Sequence, residues 1–107
     1  MEAAAGQASE LLKSLANRHR LLILCQLVDG ERSVGDLVPE VGLEASHLSQ
    51  QLAVLRRANL VQTRKVGTSV VYSVANPMIF ELLDVARKIL TSSLIDTRAL
   101  LEELEDS

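Results

Sequence analysis

The chain has 107 residues, enough for one small domain whose core is modest unless a partner covers more surface. Hydrophobic residues make up 48% and aromatic residues only 2%, so the core must be built from Leu, Val, Ile and Ala, a mixture suited to packed helices. Net charge is −3, which taken alone argues against a polyanionic partner, and the single cysteine, Cys25, excludes an intrachain disulfide and with it a disulfide-stapled secreted domain.

The opening residues 1–7 lack the basic start and apolar run of a signal peptide, and no apolar stretch approaches membrane-spanning length. A cytoplasmic protein with no membrane partner is expected. Residues 7–15 carry Ala8, Leu11, Leu12 and Leu15, which predicts a short amphipathic helix whose narrow stripe needs a surface to lie on. Asn17 is placed to cap a second helix holding Leu21, Leu22, Leu24, Cys25, Leu27 and Val28. This helix is apolar nearly all round until Asp29-Gly30 ends it, so it is the expected core helix, with Cys25 as a buried small hydrophobe. Arg18 and Arg20 lie near its start, where the helix dipole gives cations no reward; they are either phosphate contacts or solvated.

Ser33 and Asp36 stand at capping-box spacing ahead of Val34, Leu37, Val38 and Val41, and Pro39 limits that helix to about two turns. Val41-Gly42-Leu43 is a turn, and Glu44 or Ser46 opens the next helix. Within 45–57, Leu48, Leu52 and Leu55 fall on one side at helical spacing and face inward. The outward positions hold Ser46, His47, Ser49, Gln50 and Gln51, hydroxyls and amides where an ordinary surface helix carries Glu and Lys. Such side chains suit base edges, and Gln can pair in bidentate fashion with adenine in the major groove. The alternative is a solvated polar face. Two short helices joined by a tight Gly-containing turn make residues 33–57 a helix-turn-helix.

Asn59, which tolerates left-handed backbone, ends the polar helix, and the period then changes. Leu60, Val61, Thr63 and Val66 form one extended run, Gly67-Thr68 a turn, and residues 69–74 a second β-branched run. The hairpin over 60–74, with Arg64 and Lys65 near its tip, looks like the wing of a winged helix that reaches phosphates or the minor groove; the alternative is a hairpin that only covers the core. From Ala45 to Phe80 there is no Asp or Glu, while Arg56, Arg57, Arg64 and Lys65 all lie there. A locally basic patch can neutralise phosphates on an acidic chain, unless the clustering is chance. From Pro77 the chain runs without Gly or further Pro through Met78, Ile79, Leu82, Leu83, Ala86, Ile89, Leu90, Leu94, Leu100, Leu101 and Leu104. That stripe is too extensive for a domain of this size to cover alone, which implies a homodimer made through helices at 7–15 and 77–104. Thr91-Ser92-Ser93 is a point where this helix weakens or bends, and the acidic end, Glu102 to Ser107, is expected to fray. The expected fold is therefore mainly α with a β-hairpin wing (α+β), a winged helix-turn-helix forming a single domain over 1–107.

The succession Leu15-Ala16-Asn17-Arg18-His19-Arg20-Leu21-Leu22-Ile23-Leu24, then Ser33-Val34-Gly35-Asp36-Leu37, then residues 48–61 resembles the ArsR/SmtB family of bacterial transcriptional regulators over about residues 11 to 90. The resemblance implies a dimeric winged-helix protein that binds a pseudo-palindromic operator, usually as a repressor released by an inducer. Arg18 stands where the family usually has Pro, and Asn59 where Gly is common. The metal-holding cysteines found in many members around the segment that reads Ser33-Val34-Gly35 here are missing, as are the Asp and His pairs of the last helix. No metal and no other cofactor is therefore predicted, although Asp84 and Asp96 leave open a weakly held hard or borderline ion at a dimer interface. Cys25 resembles the core-helix cysteine of sulfur-responsive relatives, whose second cysteine is absent here.

The leading expectation is a sequence-specific DNA-binding homodimer whose recognition helices enter successive major grooves about 34 Å apart. Base readout falls to Ser46, His47, Ser49, Gln50 and Gln51, and phosphate contacts to Arg56, Arg57, Arg64 and Lys65. The alternative is a winged-helix interaction module working with a partner protein that does the sensing. No catalytic set of Ser/His/Asp or Cys/His, phosphate loop or paired carboxylates occurs at a useful spacing, so no enzyme is expected.

Overall fold

The computed structural model describes residues 1–106, with the side chains of residues 93–97 and 106 outside the described set. Leu94 of the predicted stripe and the candidate ligand Asp96 thus lie outside the described residues. The chain divides into two compact units, Met1–Asn76 and Pro77–Ser107.

In the first unit, α1 spans Glu2–Leu15 and begins well before the predicted Gln7. Residues 2–7 show no apolar period, but their alanines favour helix, and Glu2 in the first turn complements the dipole. α2 (Arg18–Gln26) starts where Asn17 caps it, the Oδ1 atom accepting from the backbone N–H of His19 and Arg20 at 2.9 and 3.2 Å. It passes into a 3-10 turn, Leu27–Asp29. α2 does not bury its apolar residues all round. Ile23, Leu24 and Leu27 are buried, while Leu22, Cys25 and Val28 are exposed on the other side. The expectation of a buried Cys25 is corrected for that reason: at 100° per residue it lies on the face of Leu22, away from Leu24.

α3 (Val34–Val41) opens on a complete capping box. Asp36 N–H donates to Ser33 Oγ, and Ser33 N–H donates to the Asp36 carboxylate, both at 3.1 Å. The Ser33 backbone N–H, and after it the Ser33 side chain, hold the Asp36 carboxyl below its ordinary range. Pro39 sits within the helix, which ends after two turns at Gly42 (φ +76°). α4 (Ala45–Arg57) begins at Glu44, whose side chain makes no capping bond. It ends in a Schellman motif: Leu60 N–H donates to Leu55 O at 2.9 Å and Asn59 N–H to Arg56 O at 3.0 Å, with Asn59 at φ +60°. Leu55 and Leu60, the pair that this motif brings together, are both buried.

The sheet has three antiparallel strands in the order β1-β3-β2: β1 (Arg32–Ser33), β2 (Val61–Val66) and β3 (Ser69–Val74). β2 pairs with β3 from Val61↔Val74 to Val66↔Ser69, and Gly67, at φ +62°, takes the first central place of the two-residue turn. β1 was not expected; two residues show no alternation to read. It pairs Arg32 with Tyr72 and Ser33 with Val71, so the residue that caps α3 also stands in register with the hairpin. The helix-turn-helix and the wing are thereby tied at Ser33. Leu15, Ile23, Leu24, Leu27, Leu37, Leu48, Leu52, Leu55, Leu60 and Val61 are buried in this unit.

The second unit is α5, Met78–Asp106, a helix of 29 residues. It continues through Thr91-Ser92-Ser93, where the Thr91 hydroxyl donates back to Arg87 O at 3.0 Å, and runs to Asp106. Met78, Leu82, Val85 and Ile89 are exposed at spacings of four, three and four, the period of a seam that meets another helix. Leu90, Leu100, Leu101 and Leu104 are exposed as well. Among the described residues no helix is long and apolar enough to cross a membrane.

Candidate nucleic-acid interface

α4 divides sharply into two faces. Leu48, Leu52 and Leu55 are 0% exposed and anchor the helix to the body. Opposite them, Ser46, Ser49, Gln50 and Ala53 are exposed at i, i+3, i+4 and i+7, and Arg56 and Arg57 continue that surface to the C-terminus. Among the described residues these side chains make no hydrogen bond or ion pair. Ala53 carries no polar group, so the sequence alone gives it no signal as a site residue. A short methyl on this stripe lets a base edge come close and can meet a thymine methyl.

His47 and Gln51, also predicted to read bases, are half-buried and bonded within the protein. The His47 ring meets the His19 ring edge-on, centroids 5.3 Å apart. Gln51 Nε2 lies 3.2 Å from His47 Nε2, and Gln51 Oε1 accepts from Arg20 Nη1 at 3.2 Å. The other donors of Arg20 reach the end of α1, Nε to Ser14 O at 2.6 Å and Nη2 to Lys13 O at 3.3 Å. Arg20 thus joins α1, α2 and α4, and its cation sits at the carbonyl end of α1, where the helix dipole favours it. Its Nε, Nη1 and Nη2 atoms each have a protein acceptor, whereas Arg18, the other cation near the start of α2, is exposed. Replacing Arg20 by Lys, which keeps the charge but loses the planar fork, is expected to cost about 1–3 kcal/mol. A lower urea midpoint and faster amide exchange at the end of α1 would register the loss.

The wing brings its two cations to opposite sides. Adjacent strand residues alternate faces, so Arg64 and Lys65 cannot address the same phosphate. Lys65 is exposed and, among the described residues, unpaired. Arg64 is held in a two-pronged ion pair, Nε to Glu31 Oε2 and Nη2 to Glu31 Oε1, each at 2.6 Å. The hydrogen bonds from Arg64 keep the Glu31 carboxyl below its ordinary range, and those same bonds raise the Arg64 guanidinium. The acid-free window of the sequence is therefore not acid-free in space: the strand order β1-β3-β2 lets Arg64 reach across β3 to Glu31, just before β1. A second ion pair, Arg32 Nε to Glu40 Oε1 at 3.7 Å, lies at the start of the helix-turn-helix.

In α5, Asp84 is paired with Arg87 at 2.8 Å and Lys88 at 3.1 Å, and the hydrogen bonds from those cations hold its carboxyl low. It is engaged by its own helix. Among the described residues no group of three or more His, Cys, Asp or Glu side chains gathers as a metal site.

The family model described as "Bacterial regulatory protein, arsR family" matches residues 17–63, from the Asn17 cap into β2. The chain is 53% identical over 97 residues to the uncharacterized HTH-type transcriptional regulator Rv0081 of Mycobacterium tuberculosis, across 90% of this chain and 85% of that protein. The crystal structure of Rv0081 superposes with a TM-score of 0.81 at 50% identity, covering 87% of this chain and 94% of that one. The chain is 42% identical over 89 residues to the transcriptional activator HlyU of Vibrio cholerae, across 83% of this chain and 82% of HlyU. The solution structure of the homodimeric winged helix-turn-helix DNA-binding domain Mb0332 from Mycobacterium bovis matches with a TM-score of 0.78 at 30% identity, covering 87% and 86% of the two chains.

Proposed function

The chain belongs to the ArsR family of bacterial transcriptional regulators, which are DNA-binding proteins and not enzymes, and from that premise we propose that it binds a pseudo-palindromic operator as a homodimer and represses by occupying it. One observation supports this most: Ser46, Ser49, Gln50 and Ala53 form an exposed, unbonded stripe on a helix whose other side is fully buried. Such a stripe supplies donors, acceptors and a methyl group in the pattern a major groove can accept. Arg56, Arg57 and Lys65 provide phosphate contacts around it. His47 and Gln51 fix the pitch of α4 from behind through Arg20, so their part in base selection is that of positioning residues. α1 and α5 each lend exposed apolar residues, Leu11 and Leu12 on the first and Leu82, Val85 and Ile89 on the second, to the two-fold interface.

Selecting bound duplexes from a randomised pool tests the reading and yields the operator. The expected product is a pair of inverted half-sites one helical turn apart, bound with an affinity that falls steeply with salt. Recovery of unselected sequence, or affinity indifferent to salt, would overturn it. On the selected duplex, Gln50→Ala should relax preference at one base step per half-site at a cost of about 1–3 kcal/mol, leaving the salt slope unchanged. A reporter driven from a promoter carrying the operator gives the sign: repression is expected, whereas activation, the behaviour named for HlyU, would correct that part alone.

A further inference from the structure

The proposed DNA reading leaves one basic side chain of the wing unexplained, because Arg64 reaches the surface with its charge already matched. Its guanidinium gives Nε and one Nη2 proton to the two oxygens of Glu31, the geometry in which an arginine grips a phosphate. We infer that Glu31 acts as an internal stand-in for a DNA phosphate, holding Arg64 out of operator contact and so setting the affinity of the protein below what its basic residues would otherwise give. The inference rests on the DNA-binding reading above.

Three features carry it. The pair joins the wing to the loop before the helix-turn-helix, so the guanidinium that β2 would offer to a phosphate is held by an acid from outside the hairpin. Both partners remain accessible, Arg64 at 64% and Glu31 at 35% side-chain exposure, so a phosphate could compete for the same donors. The remaining cations of the surface, Arg56, Arg57 and Lys65, have no such acid among the described residues, which makes the muzzle specific to Arg64. Although two-pronged, the pair is exposed to solvent that screens it, so its removal is expected to cost a small part of the stability and leave the fold intact.

The test is a double-mutant cycle of Glu31→Gln and Arg64→Gln, read as operator affinity over a series of salt concentrations on the selected duplex and on a scrambled duplex of equal length. Glu31→Gln should tighten binding to both duplexes by about tenfold for the dimer, and steepen the slope of log K against log salt by about two, one released counterion for each freed Arg64. Arg64→Gln alone should change affinity by less than about twofold, whereas in the Glu31→Gln background it should abolish the gain. Thermal melts of all four proteins confirm that each is folded. Weaker binding by Glu31→Gln would overturn the inference, since Glu31 would then present Arg64 to DNA rather than withhold it. Equal tightening in the double variant would overturn it too, leaving only a diffuse effect of one charge. If the unsubstituted protein bound neither duplex, the DNA reading itself would fall, and that result is distinct from a wild type that binds and a Glu31→Gln variant that does not differ from it.

Discussion

Replacing Ile89 with Glu is expected to leave the purified chain monomeric and to lower its operator affinity by at least about a hundredfold. The expectation follows from exposure and from linkage. Ile89 is 61% exposed and shares one face of the helix with Leu82 and Val85, which are also uncovered, the surface the proposed homodimer would bury. A buried carboxylate with no cation to meet it at such an interface is costly, because the desolvation of the charge is not repaid. In the isolated chain the same substitution is an exchange on an exposed helix surface, normally within about 0.5 kcal/mol, so loss of dimer is separable from loss of fold. DNA affinity falls because each protomer then binds its half-site alone and the effective concentration that one bound half gives the other is gone, a factor of about 10²–10⁴. Sedimentation equilibrium and fluorescence anisotropy on the same samples check both halves. Leu12→Glu in α1, at a site 55% exposed, should act in the same direction. A variant that remained dimeric at micromolar concentration would remove α5 from the interface.

The second large effect belongs to the buried side of the recognition helix. Leu52→Ala is expected to lower folding stability by about 2–5 kcal/mol, the cost of the lost methyl and methylene groups together with the cavity they leave. Leu52 is 0% exposed and lies between Leu48 and Leu55, which are equally buried, so little can collapse into the gap. For a domain of this size such a loss is a large fraction of the total, about 5–15 kcal/mol. Urea unfolding should show a lower midpoint with an unchanged slope, while Leu52→Met, which keeps the volume, should cost less than about 1.5 kcal/mol. A cost below that figure for the alanine variant would mean that α4 is not anchored through this stripe. The polar face of α4 depends on that anchor, since a helix loosened on its inner side cannot hold its outer side in a groove.

The features that sequence reading recovers share a physical trait: each is settled within a few residues. The Asn17 cap, the box made by Ser33 and Asp36, the left-handed Asn59 and the buried period of Leu48, Leu52 and Leu55 all depend on hydrogen bonds or spacings one or two turns long. The α1 start was misjudged because alanines favour helix without marking a face. β1 was missed because its two residues are strand only by virtue of Tyr72 and Val71 beside them. Cys25 was misplaced because nearly every residue around it is apolar, and periodicity cannot choose an inner face where both faces read alike.

The candidate site divides along the same line. Its elements and outward-facing residue types, the helix-turn-helix, the polar stripe of α4 and the basic hairpin, were written in the amino-acid sequence, since amphipathic period, caps and turn chemistry act locally. Which of those polar groups are free was decided only by the tertiary structure. Arg20 meets Gln51 across 31 residues and Arg64 meets Glu31 across 33, through helix packing in one case and strand pairing in the other. A charge in sequence says what a residue can bind; the chain folding past it decides whether something already has.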